Sequence, residues 1–147
     1  MTATAHALIG GAIAASVPNP AVGISLAAIS HPIVDMIPHW DFGWGWKKKS
    51  KPLLFFQGCF DLVLGLVLTF LIFGSTTNPL YLLICILVSL SWDILQAPYW
   101  LFNWRFPPFS YFYNVQHAIN GKAKLPWGVI TQAATVTGLV LVLRFVH

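Results

Sequence analysis

The sequence predicts an all-α integral membrane protein with about five hydrophobic helices, and three observations carry that prediction. Hydrophobic residues fill 57% of the 147 positions and charged residues only 8%, against about a quarter charged in a soluble domain. Mean hydropathy is +0.73. The apolar residues fall into runs divided by short turns rich in Pro, Gly and Asn, as spans joined by tight loops require.

The first helix is expected near residues 5–17, a run rich in Gly and Ala that Pro18-Asn19-Pro20 closes. A second follows over 21–39. Together they read as a hairpin whose arms are somewhat shorter than the ~20 residues of a full span, with small side chains that let the backbones approach. Residues 40–52, WDFGWGWKKKSKP, place three tryptophans before four lysines, an aromatic belt beside a cytoplasmic anchor. The third helix, 53–74, carries Asp61 as its only charge, and the fourth, 79–102, carries only Asp93. Residues 103–125 alternate polar and aromatic side chains and read as an interfacial segment holding a short amphipathic helix. The last span is 126–146. All 147 residues form one membrane domain, without an internal repeat.

A net charge of +4 does not point to nucleic acid here, because Lys47, Lys48, Lys49 and Lys51 form one cluster between apolar runs. Such a cluster belongs on the cytoplasmic side, against anionic lipid. Cys59 and Cys85 lie in apolar runs without metal-type spacing and are not expected to pair. The first seventeen residues have no Lys or Arg ahead of the Ala-rich run, which argues against a cleaved signal peptide.

The chemistry concentrates in residues 31–41, HPIVDMIPHWD, which hold two of the four acids and two of the five histidines. On a helix His31, Asp35 and His39 recur every four residues and share a face. Imidazole and carboxylate at that spacing can converge on a divalent cation. Pro32 disfavours helical geometry at His31 and predicts a kink.

Depth links the rest. With ~1.5 Å of rise per residue, Asp61 and Asp93 fall about 12–14 Å below the same membrane face, because their helices are antiparallel. His31 shares that depth, and His6, Asp35, His39, Asp41 and His117 belong to the same half. Burying an Asp there costs ~2.5–3.5 kcal/mol on insertion scales, and two close together repel unless a proton or cation separates them. A metal held by Asp61, Asp93 and the histidines resolves this. The alternative is protonated acids hydrogen-bonded to Gln57, Gln96 or Ser91, or paired with Arg105.

The segments T-A-H-A-L-I-G at the N-terminus, S-H-P-I-V-D at Ser30 to Asp35 and I-P-H-W-D at Ile37 to Asp41 resemble motifs of the small bacterial membrane-bound metal-dependent hydrolases, a family distantly similar to zinc-dependent phospholipase C. The resemblance covers mainly residues 4–41. It implies that His6, His31 and Asp35 are metal ligands, and it matches His39 and Asp41 to the two acids of a Pro-Asp-x-Asp element. His39 stands where that family has Asp. The family's His-Arg-x-x-Thr-His element is absent, and Gln116-His117 is a partial substitute.

The expected function is therefore metal-dependent hydrolysis of an ester or phosphoester in a membrane lipid or polyprenyl substrate, at a site open toward the cytoplasmic face of a bacterial inner membrane or its equivalent. The expected ligands of one or two ions, Zn²⁺ before Mn²⁺, are His6, His31, Asp35, His39, Asp61, Asp93 and His117, with His39 or Asp41 as general base. The rival is a protein without catalysis, either a small cation or proton transporter or a structural membrane subunit.

Overall fold

The computed structural model describes residues 1–145. His147, which the sequence gives no role, lies outside the described residues. Among these the chain is all helical, with seven α-helices, one 3-10 turn at Trp46–Lys48 and no strand. The α-helices are α1 (Ala3–Ser16), α2 (Pro20–Asp35), α3 (Lys51–Phe73), α4 (Pro79–Ser89), α5 (Ser91–Leu101), α6 (Phe109–Ile119) and α7 (Trp127–Phe145).

The short first helix is the hub. It packs against α2, α3, α4 and α7, and ten of its fourteen residues are buried, on every side. Only a helix of Ala and Gly can take so many neighbours, because small side chains let four backbones approach one axis. Gly10 shows how closely: a Cβ there would lie 2.6 Å from Ser89 Oγ and 2.8 Å from the Cys85 carbonyl oxygen of α4.

A buried helix end leaves donors and acceptors that must find partners. Asp61 of α3 accepts from the amides of Ala3 at 2.6 Å and Thr4 at 3.1 Å, and the Thr2 hydroxyl accepts from Ala5. Gln132 of α7 accepts from the Thr2 amide at 3.1 Å and donates back to its hydroxyl at 3.0 Å. At the other end, the Tyr81 hydroxyl of α4 donates to the Val17 carbonyl at 2.8 Å. Both ends are thus tied to the surrounding helices.

The interior is small and the outside large. α2 presents Val22, Leu26, Ile29 and Ile33 outward, and α3 presents Phe55, Phe56, Val63, Val67 and Leu71. By length and composition α3 alone is apolar enough to cross a membrane, and α4 with α5 would be a second such span if the bent pair counts as one; α1, α2 and α7 are shorter apolar helices.

Three boundaries differ from expectation. The second helix ends at Asp35, four residues early, because Pro38 removes a donor and the chain turns away to pair with residues 120–123. The fourth breaks at Leu90, between Ser89 and Ser91, into α4 and α5 with a 48° bend; paired serines at a kink are a known cause. Residues 103–125 fold as α6 between two irregular stretches.

The Gly10 contact gives a stability test. Gly10→Ala should lower the thermal midpoint of the purified protein, with a cost of about 1–3 kcal/mol for overpacking. Gly138→Ala on α7, where a Cβ meets nothing within 4 Å, should be neutral or slightly stabilising.

Candidate metal centre

Four elements deliver side chains to one buried point beside the hub. α1 brings His6, α2 brings His31 and Asp35, the turn after α2 brings His39, and α5 brings Asp93. His6, His31, Asp35 and His39 are fully buried. Asp35 is central: His6 Nε2 lies 3.1 Å from its Oδ1, His31 Nε2 lies 3.3 Å from its Oδ2, and His39 Nε2 lies 3.8 Å from Oδ1. His31 Nε2 is also 3.8 Å from Asp93 Oδ1. The amine of Met1 donates to Asp35 Oδ1.

Backbone carbonyls aim two of the rings. His31 Nδ1 donates to the Ser89 carbonyl at 2.6 Å, and His39 Nδ1 to the Ile37 carbonyl at 2.7 Å. A proton on Nδ1 leaves the Nε2 lone pair facing the carboxylates, the tautomer a metal ligand needs. The break at Leu90 matters here, since a helix end frees the Ser89 carbonyl for the imidazole. The Ser89 hydroxyl meanwhile donates to the His6 carbonyl at 2.9 Å, tying α4 to α1. The rings of His6 and His31 stack 3.6 Å apart, 6° from parallel.

His39 is held from a distance in sequence. The Gly121 amide donates to the Asp35 carbonyl at 2.7 Å, the His39 amide to the Gly121 carbonyl at 3.4 Å, and the Ala123 amide to the His39 carbonyl at 3.0 Å. This strap satisfies the end of α2 and fixes the turn. Gly121 is required by its close approach: a Cβ would lie 2.8 Å from Pro38 N.

The donor set fits a divalent ion. His6, His31 and Asp93 each offer a ligand atom, all within 4.8 Å of one another. Ligands bonded at ~2.0–2.1 Å in a tetrahedron stand about 3.3 Å apart. The separations of 3.3 and 3.8 Å around His31 and His39 lie near that spacing and beyond a good direct hydrogen bond. Moreover, His39 Nε2 and His6 Nδ1 are buried with no hydrogen-bond partner, which native interiors rarely tolerate.

Not every expected residue joins. Asp61 spends both oxygens on α1, accepting from Ala3, Thr4 and the Thr4 hydroxyl at 2.7 Å, so it caps a helix where a ligand was expected. His117 is exposed and stacks on Tyr113 at 5.7 Å. Its neighbour Gln116 turns inward instead, donating to Asp35 Oδ2 at 2.7 Å and lying 3.4 Å from both His31 Nε2 and Asp93 Oδ1. The signal was present in the spacing, because Phe112, one turn earlier, packs on Trp92 at 5.1 Å and puts position 116 on the same inner face. Gln96 donates to Asp93 at 2.9 Å, whereas Gln57 engages Lys49. Asp41 is half-buried in the loop after α2 and accepts from the Gly43 amide at 2.7 Å. Loss of water around its carboxyl pushes it up to about 6.

No family model, curated protein or solved structure matches this chain. Its chemistry is read from its own geometry.

The two intramembrane-type acids should separate experimentally. Asp61→Ala uncaps α1 and should cost about 1–3 kcal/mol of stability while leaving bound metal unchanged. Asp93→Ala should abolish or sharply lower metal content. Thermal unfolding and elemental analysis on the same preparations distinguish the two.

Proposed function

We propose that this chain is a membrane-embedded, metal-dependent hydrolase that cleaves an ester or phosphoester in a lipid or polyprenyl substrate. The observation that carries this reading is the aimed pair of imidazoles: His31 and His39 each anchor Nδ1 on a carbonyl and turn Nε2 toward Asp35, with Asp93 completing the approach to His31. A purely structural cluster has no need to leave His39 Nε2 and His6 Nδ1 unpartnered in the interior.

His6, His31, Asp35, His39 and Asp93 would hold the ion, zinc by the preference of mixed imidazole and carboxylate sites, with manganese also compatible. Such an ion supplies Lewis acidity to a phosphoryl or acyl oxygen and makes water a better nucleophile near neutral pH. Gln116 orients the carboxylates of Asp35 and Asp93 together, the role of an outer hydrogen-bond partner. Asp41 lines the cavity that Asp93 also lines, so it is placed to take the proton from water. In the reaction the water oxygen bonds to the phosphorus or acyl carbon as the ester oxygen leaves, and the proton ends on that leaving oxygen.

The membrane setting is supported by the outward Phe, Leu, Ile and Val of α2 and α3, surfaces too extensive for a water-facing monomer. Lys47, Lys48, Lys49 and Lys51 follow the Asp41 loop, and a lysine cluster there puts the site toward the cytoplasmic leaflet. The resemblance of residues 4–41 to the bacterial membrane-bound metal-dependent hydrolases points to the same activity.

The decisive measurement starts with protein purified without chelators or an affinity metal. About one or two zinc or manganese ions per chain are expected, with release of a head group from a panel of phospholipids and polyprenyl phosphates that stops with chelator and returns with metal. Metal below about 0.2 per chain that no added zinc or manganese restores would overturn the reading. Gln116→Leu should weaken metal binding roughly 10- to 100-fold, read by competition with a chromophoric chelator.

A further inference from the structure

The acid and imidazole cluster opens onto two cavities of opposite character. One, of about 210 Å³, lies between α3 and α5 and is walled by Leu54, Leu62, Leu90, Ile94, Ala97 and Leu101, with Asp61 and Asp93 at its polar end. Its rim includes Phe55 and Ile94, both exposed on the apolar outer surface. The other, of about 280 Å³, lies between the 43–46 loop and α6, and is lined by Trp46, Tyr113, His117, Gln96, Gln116 and Asn120. Asp41, Gly43 and Trp100 line both cavities and form the partition. Asp93 of the first and Gln116 of the second are 3.4 Å apart at the junction.

The second cavity is built for hydrogen bonding without a net field. Trp44 Nε1, Gln116 Oε1 and Asn120 Oδ1 are buried polar atoms without a partner, and all three belong to residues lining it. They are one donor and two acceptors, and a hydroxyl can serve either kind. Its charged wall residues are Asp41 and Lys122, one of each sign, so a charged head group finds no excess of countercharge. Trp46 and Tyr113 meet edge to face at 6.1 Å, and such rings offer flat surfaces to the C–H face of a sugar.

We propose that the ligand is an amphiphile with a neutral, polyhydroxylated head: its hydrocarbon chain lies between α3 and α5, and a sugar ring occupies the aromatic cavity beside α6. This deepens the hydrolase reading and rests on it for which bond is cut, the one joining chain to head at the Asp93–Gln116 junction. Binding itself needs no turnover.

The test uses the full chain in phosphatidylcholine nanodiscs and an alkyl glucoside with a photoreactive diazirine at the end of its chain. Adducts should concentrate in residues 54–62 and 90–101. A tenfold excess of unlabelled alkyl glucoside should reduce them at least fivefold, while an alkylphosphocholine of equal chain length should not. Ala97→Trp, which fills the apolar cavity, should remove the adducts, and the double variant Trp44→Phe, Asn120→Leu should make the two competitors equivalent. Adducts spread equally over the outward face of α7, or equal competition by both head groups in the unaltered protein, would overturn the proposal. His31→Gln separates the two ideas: it should lose metal and hydrolysis yet keep glucoside-sensitive labelling. Labelling as expected with no hydrolysis by any preparation keeps the ligand assignment and removes the hydrolase reading, and the reverse result removes the ligand assignment alone.

Discussion

The fold is constrained by a carboxylate that water cannot reach. Asp35 is fully buried, and an unpaired charge in a low-dielectric interior is far more costly than any single packing contact can offset. Its surroundings are arranged accordingly. His6 comes from α1, His31 from one turn back on α2, His39 from the turn beyond, and Gln116 from α6. Each of these groups binds Asp35 while being buried itself, so the four elements cannot separate without stranding polar atoms. The same arrangement explains why the strap at 120–123 binds backbone to backbone around His39. It holds in place a ring whose displacement would expose Asp35 on one side.

That demand reaches into the helices as geometry. Three helices can approach the point only if α1 is thin, which its Ala and Gly content provides, and only if the helix bearing Asp93 changes direction, which the 48° break provides. The break has a second effect, since it releases the Ser89 carbonyl to hold His31. An unbroken helix through residues 79–102 would consume that carbonyl in its own ladder. A local irregularity and a tuned imidazole are therefore one feature.

Much of this was legible in the sequence, and the parts that were not have physical reasons. Hydrophobic runs and Pro-bounded turns marked the helices, and the i, i+4 spacing of His31, Asp35 and His39 marked the site; yet His39 reaches Asp35 from a turn, because Pro38 ends the helix before it. Depth arithmetic brought Asp93 to the cluster and also brought Asp61, which faces the α1 amides instead. Depth fixes only a coordinate along the membrane normal, and rotation about the helix axis is set by neighbours that a sequence does not show. The same blindness to rotation favoured His117 over Gln116, where a single-residue step of about 100° separates the exposed ring from the buried amide. The Leu90 break had no Pro or Gly to announce it.

Asp61 and Asp93 sharpen the point, because they have the same chemistry, nearly the same depth and a common cavity. What differs is the donors presented to them. Asp61 meets two amides and a hydroxyl at the positive end of α1, fixed donors that fully employ a carboxylate. Asp93 sits in the first turn of its own helix and receives only side-chain amides, from Gln96 at 2.9 Å and Gln116 at 3.4 Å. Its oxygens retain free lone pairs directed at His31. A carboxylate locked by backbone donors stabilises a helix, whereas one steadied by flexible amides beside an imidazole stays free to bind a cation. The function of each acid follows from which groups satisfy it, and in this fold the position of α1 makes that assignment.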